Sequence, residues 1–202
     1  MVAPYIADEV KHPIVTSAPV ALDVFDRAGR APAASQREKF GTTSPSELIE
    51  ELDGAAEWLG VQVEEILLAA LGRTFGRTRG DGAVAVDVTG GHRWLCHPVT
   101  LLCAESWPMG PTEMLQGAHG VLASASGHPV VQSEILLNVN PAALTGGAAT
   151  PALELRVQRV DGTLHLDWWY DPARLDSYSV EEMAEQFPLA LIEITSDAGA
   201  PL

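Results

Sequence analysis

The run from Leu153 to Ile194 reads LELRVQRVDGTLHLDWWYDPARLDSYSVEEMAEQFPLALIEI. Leu153, Leu155 and Val157 alternate with Glu154, Arg156 and Gln158, a period of two that predicts a half-buried strand. Asp161-Gly162 supplies the two residues of a tight hairpin turn that tolerate positive φ. A second strand follows from Thr163 to Tyr170. It places Leu164, Leu166 and Trp168 on one side and His165, Asp167 and Trp169 on the other. After Asp171-Pro172 the period becomes helical, with Val180, Met183, Ala184, Phe187, Leu191 and Ile194 near one face. Ser179 reads as the N-cap, with Glu181 and Glu182 suited to the positive first turn. The unit is a hairpin, a loop, and a helix laid on the sheet.

Working back from this unit, residues 140–151 are small and loop-like, and Val130 to Val139 reads as a central strand. A helix from Thr112 to about Ala125 turns Met114, Leu115, Ala118, Val121 and Leu122 inward. Residues 104–112 read as loop, and His97 to Cys103 as a short strand. Ala83 to Val88 is apolar almost throughout, as in a strand covered on both faces. Gln62 opens a helix with an apolar stripe through Val63, Ile66, Leu67, Ala70, Leu71, Thr74 and Phe75. Ser44-Pro45-Ser46-Glu47 has the form of a capping box. The helix it opens runs to about Leu59 and stops at Gly60. Residues 26–43 read as loop, 19–25 as a strand, and 1–13 as a loose leader. The division is therefore a leader and linker with one strand (1–43), a main body (44–195) and a tail (196–202). The class is α/β, a two-layer sandwich of mixed sheet with helices mainly on one face.

The 202 residues suit one domain, and 47% are hydrophobic, enough for a core. No apolar run is long enough to span a bilayer, and the N-terminus lacks a signal pattern, so a cytoplasmic protein is expected. A net charge of −15, from 27 acids against 12 bases, disfavours nucleic acid and anionic membrane as partners. The two cysteines make no disulfide scaffold.

Two blocks carry a resemblance. In the first, Asp161, Gly162, Leu164, Leu166, Trp168, Tyr170, Leu175, Asp176, Val180, Glu181, Phe187 and Leu191 match the end of condensation and epimerisation domains of nonribosomal peptide synthetases. In the second, Leu59-Gly60-Val61, Glu65, Leu67 to Leu71 and Val84 to Val88 match the start of the same C-terminal lobe. The chain thus resembles that lobe over residues 44–195, which implies half of a chloramphenicol acetyltransferase-like fold. The family's catalytic motif, HHxxxDG, lies in its N-terminal lobe. This chain contains neither a His-His pair nor HxxxD. Epimerisation relatives also use a glutamate in an EGHGRE-like segment. Here that segment is Thr89-Gly90-Gly91-His92-Arg93-Trp94, with Thr89 or Gly90 at the glutamate position.

The resemblance marks His92, Arg93, Trp94 and Asn138 as candidate channel or interaction residues, and the strand pattern adds Trp169. Asn138 reads either as a polar contact in the channel or as a strand-end residue starting a turn before Pro141. Trp169 is either covered by another element or part of a partner surface. His92, Cys96, His97 and Cys103 lack the spacing of a metal site. Neither cysteine shows an activating neighbour, and Ser124 and Ser126 lie in no nucleophile elbow. Gly90-Gly91 and Gly146-Gly147 have no phosphate-loop context, so no cofactor is expected. Arg73, Arg77 and Arg79 form the one dense basic spot, either solvated or set to meet a carrier protein's phosphopantetheine or an acidic helix.

The expected function is that of a non-catalytic condensation-like module, acting by association in nonribosomal peptide or lipopeptide biosynthesis. The resemblance implies as partners a carrier protein, a synthetase module, a separate N-terminal lobe, a tailoring oxygenase, or a second copy in a homodimer. The alternatives are half of a split enzyme completed by an HHxxxDG lobe, and a remnant of a longer chain. Met1 before a leader unlike a tag points to an authentic start.

Overall fold

Asp161 and Gly162 both adopt left-handed backbone, at φ 50° and 75°, and close the predicted hairpin. They join β6 (Leu153–Val160) to β7 (Thr163–Tyr170), with Val160 opposite Thr163 and Leu153 opposite Tyr170. The computed structural model describes residues 19–28, 37–90, 93–94, 98–106, 108–125, 133–139 and 150–201, with backbone alone at 93–94. The other described strands are β1 (Glu38–Ser44), β2 (Gly82–Gly90), β3 (Arg93–Trp94), β4 (Val99–Cys103) and β5 (Ile135–Val139). They join the hairpin in one mixed sheet of order β1-β7-β6-β5-β2-β3, with β4 paired to the first half of β2. β5 runs parallel to both β2 and β6, and the remaining pairs are antiparallel.

Four helices among the described residues complete a two-layer α/β fold: α1 (Ser46–Leu59), α2 (Val63–Arg79), α3 (Pro111–Ser124) and α4 (Ser177–Asp197). None is long and apolar enough to cross a membrane. α2 packs against α3, α4 and β4, and every residue from Glu65 to Gly76 is buried. Two glycines allow that approach. A methyl group on Gly76 would lie 2.1 Å from the Ala104 carbonyl carbon, and one on Gly72 would lie 2.5 Å from the Leu102 oxygen. Gly76→Ala is expected to destabilise the protein by about 1–3 kcal/mol, because backbone and not a flexible side chain must move. Gly54→Ala is the control. It meets nothing within 4 Å on α1 and should gain about 0.5–1 kcal/mol from helix propensity. Urea unfolding of the two variants should give opposite signs.

Several sequence expectations change. The loop read over 26–43 is a strand from Glu38, because β1 pairs along its whole length with β7, Glu38 opposite Tyr170 and Ser44 opposite Leu164. The strand read over 19–25 reduces to a parallel bridge between Ala21 and Ala83. β2 is not covered on both faces: Ala85 is exposed while Val86 and Val88 are buried. The residues buried on both faces are instead those of β5, Ile135 to Val139. The expected strand from Val130 begins at Ile135, and 130–132 lie outside the described residues.

Pro45, not Ser44, holds the N-cap of α1, while Gly60 ends it in left-handed backbone as predicted. Ser179 is not the cap of α4. The helix starts at Ser177, and Asp176 at its N-cap makes no side-chain cap bond. The cap comes from far away in sequence. Asp26 Oδ2 accepts the Asp176 N–H at 2.8 Å, and Oδ1 accepts the Ser179 hydroxyl at 3.0 Å. Arg79, at the end of α2, lies 3.1 Å from Asp26. The neighbouring Asp26 and Arg27 N–H groups both donate to the Arg174 carbonyl. Residues 25–27 thus strap α2, α4 and the 171–176 loop together.

Burial works to raise the Asp26 pKa, but the Asp176 N–H, the Ser179 hydroxyl and Arg79 outweigh it and hold the carboxyl below its ordinary value. A depressed folded-state pKa gives stability that is present above the ordinary aspartate range and lost as pH falls through the depressed value. Asp26→Ala should cost about 1–2 kcal/mol near neutral pH, in the range of a lost N-cap. The deficit should shrink as pH falls below the ordinary aspartate range and through the depressed folded value. Thermal melts of both proteins from neutral to acid pH check this, and a gap that stays constant would rule the linkage out.

The polar face of the sheet as candidate functional site

Strand pleating sends alternate residues of β6 and β7 away from the helices. Cross-strand register then sets Leu136, Glu154, Trp169 and Lys39 in one row, and Thr89, Asn138, Arg156, Asp167 and Gly41 in the next. This face is polar, yet its centre is buried: Glu154 and Asn138 are each 1% exposed. Unpaired charge at such a place costs several kcal/mol, so the hydrogen-bond accounting matters.

Glu154 is fully engaged. Oε1 accepts from Arg156 Nε at 2.7 Å and Asn138 Nδ2 at 3.0 Å; Oε2 accepts from Arg37 at 2.9 Å and Arg156 at 3.1 Å. The other end of the Asn138 amide accepts from the Thr89 hydroxyl at 2.9 Å. Burial pushes the Glu154 pKa up. The Arg156 and Asn138 hydrogen bonds and the two arginine charges push it down further, so the carboxylate stays ionised below its ordinary range. Arg37 shifts below its usual value, mainly through burial, with Glu154 opposing.

Trp169 lies beside this cluster. Arg156 sits over its ring at 4.8 Å, and Arg37 and Lys39 at 5.9 Å each, arrangements favoured by the ring quadrupole. Arg37 also donates to the Trp169 carbonyl at 3.0 Å, and Lys39 pairs with Asp167 at 2.8 Å. Trp169 is half-buried. Its indole N–H and the Arg37 Nε are both buried without a hydrogen-bond partner among the described residues.

Of the five residues marked from sequence, the structure brings Asn138 and Trp169 to the same face. Asn138 stands inside β5 with both amide ends bonded. Arg93 and Trp94 form β3, opposite Gly90 and Thr89, and their side chains lie outside the described part, as does His92. Sequence reasoning missed Glu154, Arg156, Thr89 and Arg37. The first two were visible as the polar half of an alternating strand, and Thr89 as an out-of-pattern residue. Arg37 gave no signal, because its segment read as loop.

The basic spot read from sequence is paired with acids and only partly exposed. Arg73 is 1% exposed and donates to the Ala104 and Met109 carbonyls at 2.8 Å each. Arg73 and Arg77 share Glu193, and Arg79 pairs with Asp26. Cys103 is buried, and burial, with the charge of Asp81, pushes its pKa up to about 12. Burial thus favours the protonated thiol over the nucleophilic thiolate near neutral pH. Among the described residues no three His, Cys, Asp or Glu side chains converge as a metal site.

No protein-family model matches the chain. Comparison with solved structures places the fold. The chain matches the epimerization domain from the third module of tyrocidine synthetase B with a TM-score of 0.63 at 15% identity, over 90% of this chain and 52% of that one. The first condensation domain of the CDA synthetase gives 0.63 at 18%, over 91% and 49%. The X-domain solved in complex with OxyB from teicoplanin biosynthesis gives 0.64 at 15%, over 92% and 51%. The chain therefore has the fold of condensation and epimerisation domains, and it spans about half the length of these solved chains. In sequence it is 28% identical, over 83% of its length, to a phenolphthiocerol/phthiocerol polyketide synthase component of Mycobacterium tuberculosis, of which it covers 15%.

Proposed function

We propose that the chain is a condensation-like module that acts by association in nonribosomal peptide, lipopeptide or polyketide biosynthesis. The observation that carries this reading is the Trp169 face. Its acid, amide and guanidinium groups are engaged with one another, and they hold a half-buried indole in a fixed position. Such a face offers rigid aromatic area to a partner. The occupants that the fold suggests are a separate N-terminal lobe, a carrier protein, a synthetase module, a tailoring oxygenase or a second copy. The complex of an X-domain with OxyB is a precedent among the structural relatives.

A second reading, half of a split condensation or epimerisation enzyme, draws support from Asn138. It matches the family's strand asparagine and stands on the face that would line a channel.

The test pairs binding with turnover. A separately expressed N-terminal lobe bearing HHxxxDG is titrated with the chain and with Trp169→Ala. Peptide-bond formation between carrier-bound donor and acceptor is followed in parallel. Loss of the indole should weaken binding by about thirtyfold, the range of a buried aromatic anchor. Product from the mixture but not from either part would select the split enzyme. Product from this chain alone would end the association reading.

A further inference from the structure

The distribution of charge on the helical side points to a second surface. Nine of the twelve lysines and arginines have described side chains, and each of the nine lies in an ion pair with an acid. The surplus negative charge is left elsewhere. α1 and α4 together carry ten acids and no base. On α4, Glu193 is taken by Arg73 and Arg77, whereas Glu181, Glu182 and Glu185 have no basic partner among the described residues.

The same helix keeps large apolar groups in solvent. Tyr178, Leu189 and Ile192 are 74%, 54% and 43% exposed. Positions 178, 182, 185, 189 and 192 are spaced by four and three, so they form one stripe along the helix. That stripe lies opposite the buried face of Val180, Met183, Phe187 and Leu191. α4 is therefore apolar on two sides, inward against the core and outward between acids.

We propose that the outer stripe of α4 is a docking surface for a basic amphipathic helix of another protein, with apolar anchors at heptad spacing flanked by lysine or arginine. The apolar residues supply the contact area, and the uncompensated glutamates supply selection by charge. A second copy of this chain is a poor occupant, because its α4 would bring Glu182 and Glu185 against the same acids. The proposal rests on the association reading but uses a face distinct from that of Trp169.

The probe is a fluorescein-labelled synthetic helix of about five turns, with leucines at heptad spacing and lysines and arginines beside them. It is titrated by anisotropy into the full chain. A matched peptide with glutamates in place of the bases is the comparison. The basic peptide should bind, and the acidic one should not. Leu189→Ser with Ile192→Ser should weaken binding at least about tenfold. Glu182→Lys with Glu185→Lys should do the same. Raising salt from about 50 to about 200 mM should weaken it further. Circular dichroism should be unchanged for these surface variants.

The proposal is overturned if the basic peptide fails to bind. Equal binding by the serine variant would also overturn it, by reducing the effect to diffuse charge. So would a dimer of the chain, seen by sedimentation, that the serine substitutions dissolve. Trp169→Ala should bind the peptide as the parent does. A failure at the Trp169 face therefore stays separate from a failure at α4.

Discussion

Glu154→Ala is expected to lower folding stability by about 3–5 kcal/mol, the cost of removing one partner from a buried ionic cluster. The carboxylate is 1% exposed and accepts four hydrogen bonds. Removing it leaves the Arg37 and Arg156 charges together, Arg37 with only 8% of its side chain exposed, and frees one end of the Asn138 amide. Urea unfolding measures the loss. Replacing Glu154 and Arg37 together by leucine should recover most of it, since a well-packed apolar pair can match a buried ion pair. A single-variant loss under about 1 kcal/mol would mean that water already solvates the cluster. The pH dependence has a definite sign. The depressed Glu154 pKa gives stability that is fully present above the ordinary glutamate value, near about 4.3, and declines as pH falls through the lower folded value. Parent and variant should therefore converge in acid, from about pH 4 downward.

Trp168→Ala should have an effect of similar size, about 3–5 kcal/mol, on the other face of the same hairpin. Trp168 has no exposed surface and meets Phe187 edge-on, with centroids 5.9 Å apart and planes at 82°. It joins the hairpin to α4. For a chain of this length the loss corresponds to roughly a 10 °C fall in melting temperature. The indole N–H is buried with no partner among the described residues, so Trp168→Phe should cost far less than alanine, about 1–2 kcal/mol. Equal losses for phenylalanine and alanine would show that the indole's particular shape, and not apolar volume, holds α4.

Local signals made the hairpin, α1, α2 and α3 legible, because period, turn residues and Gly60 all act within a few positions. The assignment of Trp168 to the core and Trp169 to the opposite side followed from alternation alone. β1 was hidden because EKFGTTS has little apolar content; its strand state comes from pairing with β7, over 120 residues away. The cap of α4 was hidden for the same reason: Asp26 lies 150 residues before Asp176. At the candidate site, Asn138 and Trp169 could be named, but their setting depends on Arg37 and Glu154, 117 residues apart. The arginines at the end of α2 looked like a surface cluster until tertiary packing supplied Glu193 and Asp26.

The strap and β1 share a consequence for the order of events in biosynthesis. Both are made before the elements they bind: β1 pairs with β7, and the strap holds the 171–176 loop and the start of α4. On the ribosome the strap has, among the described residues, only Arg79 of α2 as an early partner, and β7, the 171–176 loop and α4, which supply the others, follow more than about a hundred residues later. Their closure involves loops of more than about a hundred residues, so it should be slow and come late. Until then the outer edge of β7 stays open to other strands. Nascent-chain proteolysis should find residues 25–27 and 38–44 cleavable in every intermediate that ends before about residue 175, and protected only when α4 has begun to form.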